Sequence, residues 1–178
     1  MSPTVGAYLT RGSVILAAGL TAACSTSHAI EFVPSPTELH MPSIGVSADV
    51  VPVVADDRVL DVPDDPRVVG WWSAGASPGD AEGTVVMDVH LDTAEAGEGP
   101  FAAVHDLEVG DSAEIVGFDG GTHTYQVTEV SVYDKTVLPY AELFRQEGPP
   151  QAVLVTCGGR FDPVQGWDSN VVVVMSPQ

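Results

Sequence analysis

The chain has 178 residues, with 25 Asp and Glu against 6 Lys and Arg, a formal charge of −19 and 44% apolar residues. That length allows one domain of ordinary size with a real core, and the apolar fraction argues against a disordered acidic polypeptide. The scarcity of Lys and Arg argues against nucleic acid as a partner and against adhesion to an anionic membrane through a basic patch. Two cysteines, Cys24 and Cys157, cannot build a disulfide framework or a Cys-rich zinc site.

Residues 1–23 read as a signal peptide. Arg11 is the only charge ahead of the apolar run SVILAAGLTAA, which suits a signal-peptide core and is short for a membrane span. Small residues before Cys24 resemble a bacterial lipobox, with Thr21 where a leucine is usual. Cys24 is therefore expected to carry lipid and to tether an exported protein to the outer face of the bacterial cytoplasmic membrane. An ordinary secretory signal cleaved nearby is the alternative. Residues 24–40, rich in Ser, Thr and Pro, read as a flexible spacer, and the folded domain is expected over residues 41–178.

From Ile44 the pattern is short β-branched runs separated by Gly, Pro and Asp. IGVSADVVPVV opens it, paired acids and prolines interrupt VLDVPDDPRVVGWW, and GTVVMDVH (83–90) is a mostly apolar strand. Residues 112–118 and 122–133 alternate on either side of DGG (119–121), which reads as a hairpin turn. AVLVTC (152–157) and NVVVVM (170–175) have the composition of buried strands. PYAELFRQ (139–146) is the best helix candidate, with Pro139 suited to the first turn. Seven or eight strands at roughly this spacing predict a mainly β fold, a closed or nearly closed antiparallel barrel.

Cys157 is the one cysteine of the folded domain, at the end of an apolar strand and before Gly158–Gly159. It reads either as a small core residue or as a nucleophile whose glycine neighbours let a substrate backbone approach. A nucleophilic thiol reacts as thiolate and needs a proton acceptor or a cation nearby. His40, in the spacer, and His123, after the hairpin turn, read as solvated, and His105 is ambiguous. His90 ends the strand GTVVMDVH, so a histidine and a cysteine each stand at the exit of an apolar strand, as acyl transfer requires if the strands are neighbours. Arg160 is the only cation after Cys157. It reads as an oxyanion or substrate-positioning group, or as a surface residue paired with Asp162. Metal ligation has weak support: His90 with Asp92, or His105 with Asp106, lacks a second pair at ligand spacing. No cofactor is expected.

In order and spacing, MPSIGVSADVVPV, VPDDPRVVGWWSAGASPGDAEGTVVM, HLDT (90–93), VLVTCGGRFD (153–162), GWDSN (166–170) and the closing VVVV run resemble a sortase, specifically the actinobacterial class F group. The resemblance implies a single eight-stranded sortase-type β-barrel with one or two short helices. It implies a monomeric cysteine transpeptidase that cleaves an LPXTG-like sorting signal through a thioester and passes the acyl group to an amine. Carried over, Cys157 is the nucleophile and His90 the general acid/base. Where the family places its catalytic arginine, near the start of the last strand, this chain has Asn170. Either Arg160 supplies the cation, or Asn170 donates a neutral hydrogen bond, or this copy is impaired. Two alternatives therefore stand beside the transpeptidase: a catalytically weak sortase-fold lipoprotein that binds surface peptides, and a peptide hydrolase using the same pair.

Overall fold

The computed structural model describes residues 35–56 and 59–178. The expected signal peptide, Cys24 and most of the spacer lie outside the described residues. In chain order the elements are β1 (Pro36–Met41), β2 (Val46–Val53), β3 (Ala55–Asp56), β4 (Val59–Leu60), β5 (Val68–Trp72) and β6 (Thr84–Val89). They continue with β7 (Asp92–Thr93), β8 (Gly97–Glu98), β9 (Ser112–Gly117), β10 (Thr122–Asp134), α1 (Tyr140–Leu143), β11 (Gln151–Asp162) and β12 (Gly166–Pro177). Short 3-10 turns occupy Pro42–Ile44 and Pro100–Asp106.

Eight strands close into a barrel in the order β1-β2-β5-β6-β11-β12-β10-β9, while β3-β4 and β7-β8 form two small ribbons. The closed barrel is as expected, but it is not wholly antiparallel: β2 pairs β5, and β6 pairs β11, in parallel. Long connections make this possible, since parallel neighbours need a crossover where antiparallel ones need only a turn. The predicted hairpin joins β9 to β10, with Val116 opposite Thr122, Gly120 at φ +80° and the Asp119 carboxylate accepting the Gly121 amide at 2.9 Å.

Two boundaries differ from the sequence reading. The barrel begins at Pro36, so the last five residues of the expected spacer belong to β1, where Pro36, Leu39 and Met41 are buried. Pro36 stands at the first position of the strand, where a missing N–H costs least; composition alone made the segment look like a linker. The expected helix over 139–146 shrinks to the four residues of α1, with Pro139 at its N-cap rather than inside its first turn.

The core has two parts. The barrel interior holds Leu39, Met41, Trp71, Met87, Phe101, Ile115, Leu154 and Val173 among others. A second cluster lies outside the barrel wall, where Val153, Val155 and Val172 are covered by Leu138 and Leu143. Strand side chains alternate between faces, so β11 sends Leu154 inward and Val153 and Val155 outward. Both faces are buried, which is why AVLVTC shows no polar alternation.

Candidate active site

Cys157 follows Val153 and Val155 on the outer face of β11, at the edge of the second cluster. The parallel β6–β11 register ends at Thr156 opposite Val89, one residue before Cys157 and His90 respectively. The Thr156 hydroxyl donates to the Val89 carbonyl at 2.8 Å in a buried setting, fixing the two strand exits at the same height. Cys157 and His90 are both half-buried and line one cavity of about 210 Å³ with Asp88 and Asn170. The structure thus brings the thiol and the imidazole to one site, on the barrel's outer wall rather than in its lumen. His90 also borders a second cavity, lined by Asp64, Asp92 and Glu95, so its ring is reachable from another side.

Asn170 is the cross-strand partner of Cys157 on β12, and Tyr133 on β10 is the next residue in the same row. This places the Asn170 side chain on the thiol's face. Arg160 is elsewhere. The β11–β12 register shifts between Gly158 and Phe161, and Gly159 takes φ +84°. That bulge sends the Arg160 side chain outward, 89% exposed, with its Nε 3.6 Å from Asp168. Its amide donates to the same Asp168 carboxylate at 2.9 Å. Arg160 does not line the Cys157 cavity, and its carboxylate partner is Asp168 rather than Asp162, whose side chain instead accepts the Val164 and Gln165 amides.

The glycines after Cys157 have a local reason. A Cβ on Gly158 would come within 2.6 Å of Val171, and one on Gly159 would overlap the Asp168 and Ser169 side chains. Both therefore serve close β11–β12 contact and the bulge.

A residue that sequence reasoning passed over reaches the thiol. Lys135, in the turn after β10, places Nζ 3.8 Å from the Cys157 sulfur. The available signal was register: Tyr133, Asn170 and Cys157 form one cross-strand row, and Lys135 follows two residues beyond Tyr133 on the same face.

Charge around the sulfur pulls both ways. Burial raises the Cys157 thiol above its ordinary value; the Lys135 charge lowers it, and Asp88 and Asp92 raise it further. Asp88 is pushed up to about 7, chiefly by burial, against the Val89 amide and the Lys135 charge. Asp92 is anchored by the Trp167 indole N–H at 2.9 Å, and Trp167 packs on Phe161 with ring centroids 5.3 Å apart. The HLDT and GWDSN segments, remote in sequence, thus meet beside the site.

The same cavity has an apolar wall beside the thiol. Val59, Leu60, Val62, Leu138, Tyr140 and Phe144 form that wall. Tyr140 and Phe144 also wall a neighbouring apolar cavity with Ala55 and Trp72, whose indole meets Phe144 edge-on at 5.6 Å.

The other described histidines do not line the Cys157 cavity. His40 is half-buried on β1 rather than solvated in a spacer, bonded to Ser47 and 3.2 Å from Glu38. His123 lies against Gly79, where a Cβ would strike its ring. His105 is exposed, 3.5 Å from Asp106. Among the described residues no three His, Cys, Asp or Glu side chains gather at metal-binding distance.

The Sortase domain family matches residues 39–178. No curated protein matches the chain. Among solved structures, sortase C-1 from Actinomyces oris superposes with a TM-score of 0.62 at 20% identity, covering 79% of this chain and 72% of that one. A lid mutant of sortase A from Corynebacterium diphtheriae gives 0.61 at 19%, covering 82% and 70%. Sortase C1 from Streptococcus suis gives 0.61 at 20%, covering 83% and 75%.

Proposed function

Because the chain belongs to the sortase family, we propose that it is a cell-surface cysteine transpeptidase, of class F by the order of its sequence motifs, acting on an LPXTG-like sorting signal. The observation that carries this reading is the cavity that Cys157 and His90 share with an apolar wall of Val59, Leu60, Leu138, Tyr140 and Phe144. A peptide with apolar side chains suits such a wall, with its scissile carbonyl at the sulfur.

In the first half-reaction the Cys157 proton passes to His90, and the thiolate attacks the carbonyl carbon. The C–S bond forms, the C–N bond breaks, and His90 returns the proton to the departing amine. In the second, an incoming amine loses a proton to His90 and attacks the thioester; the C–N bond forms and the sulfur leaves. Access to His90 from a side other than the sulfur's suits that step. Asn170 stands next to the sulfur as a neutral donor to the developing oxyanion; a neutral bond is roughly half as strong as a charged one. Residues 1–23 act as the signal, lipid on Cys24 provides the tether, and the segment up to Pro36 spaces the barrel from the outer face of the membrane.

The test is product partition. Incubated with LPXTG-type peptides, the protein is expected to release a carboxylic acid slowly in water. With primary amines added, it is expected to give the corresponding amide faster. Acid release unchanged by amine makes it a hydrolase, and binding without cleavage makes it a peptide-binding lipoprotein.

A further inference from the structure

We propose that Lys135 is the cation of this active site, stabilising the Cys157 thiolate as its proton passes to His90 and again when the sulfur leaves the thioester. The inference rests on the transpeptidase reading for its place in the reaction, but its geometry stands without it. Lys135 Nζ lies 3.8 Å from Sγ, and the Lys135 amide donates to the Asp168 carbonyl at 3.2 Å, fixing the turn that presents the side chain.

The other cations of the described residues are engaged elsewhere. Arg67 is held by Asp65 at 2.8 Å, Arg145 by the Pro149 carbonyl and Gln151, and Arg160 by Asp168. Lys135 makes no ion pair with any described carboxylate, in a chain carrying 25 acids. A flexible ammonium is drawn to the nearest negative charge, and here it is directed at a sulfur.

The surroundings explain the need. Asp88, His90, Asn170 and Tyr140 share the cavity with the sulfur, Asp92 acts on it by charge, and Lys135 reaches it from the neighbouring cavity that it lines with Asp134 and Asp168. The acids oppose ionisation of the thiol, and Lys135 is the described cation in contact with it. The proton exchanged with substrate moves through His90.

The experiment is the pH dependence of Cys157 alkylation by iodoacetamide, followed by peptide mass, in wild type, Lys135→Met and Lys135→Arg. An opposite charge at this range shifts a pKa by about one unit or more. Lys135→Met is therefore expected to move the alkylation midpoint upward by about one pH unit, leaving about tenfold less thiolate near neutrality. Thioester formation from peptide should fall in proportion with KM unchanged, and Lys135→Arg should restore both. An unshifted midpoint in folded Lys135→Met overturns the proposal. Alkylation needs no substrate, so a wild type that cleaves no peptide would overturn the transpeptidase reading while the midpoint still decides the role of Lys135.

Discussion

His90→Gln is expected to slow thioester formation at Cys157 by about 10²- to 10⁴-fold, the range general acid–base catalysis supplies, with no loss of folding stability. The two halves of this expectation have separate grounds. The first is position: β6 and β11 are held in register up to Val89 and Thr156, and the next residue on each strand is His90 and Cys157. No other described imidazole lines the Cys157 cavity. The second is independence from the fold, because the His90 ring makes no hydrogen bond to another described residue and stands beyond the last register pair. A rapid-quench measurement of thioester accumulation beside a denaturant melt checks both. An unchanged rate would remove His90 from the chemistry, and a large loss of stability would make it a structural residue.

Asp88→Asn should change how stability depends on pH. Burial pushes the Asp88 carboxyl up to about 7 in the folded protein, from an unfolded value of 3.8. Between those two values the folded state keeps a proton that the unfolded state has lost, so stability falls as pH rises, by about 1.4 kcal/mol per unit at most. The contribution of the protonated carboxyl is fully present below about pH 4 and gone above about pH 7. Asparagine keeps the shape and cannot ionise. Relative to wild type, Asp88→Asn is expected to be stabilised at pH 8 by on the order of 2–4 kcal/mol and to differ little at pH 4. Urea unfolding of both proteins at the two pH values measures this. An equal difference at both would mean that Asp88 is ionised in the folded state at low pH.

Much of this architecture is legible from the chain because its signals are local. The strand runs, the DGG turn and the Gly-Gly after an apolar run are short-range patterns, and the order of the motifs carries the family. The His90 and Cys157 strands could be named as candidates from composition alone. Their adjacency could not, because a parallel pair joined across more than sixty residues leaves no turn signature. The start of the barrel was hidden for a related reason: Pro36–Met41 pairs with β2 and β9, and its strand character comes from those partners rather than from its own Pro- and Thr-containing sequence. Arg160 drew attention as a cation near the cysteine in sequence, yet the bulge at Gly159 separates it from the sulfur, while Lys135, twenty-two positions away, reaches it. Linear distance is a poor guide across strands that fold back on one another.

The most direct measurement is intact mass of the purified protein after brief incubation with LPXTG-type peptides and acid quench, for wild type and Cys157→Ala. Wild type is predicted to gain the mass of the acyl half of the cleaved peptide, with the adduct mapping to Cys157 and lost on treatment with hydroxylamine; Cys157→Ala is predicted to gain nothing and to leave the peptide whole. A folded wild type that shows neither adduct nor cleavage, or a Cys157→Ala protein that cleaves equally well, would contradict thioester chemistry at Cys157.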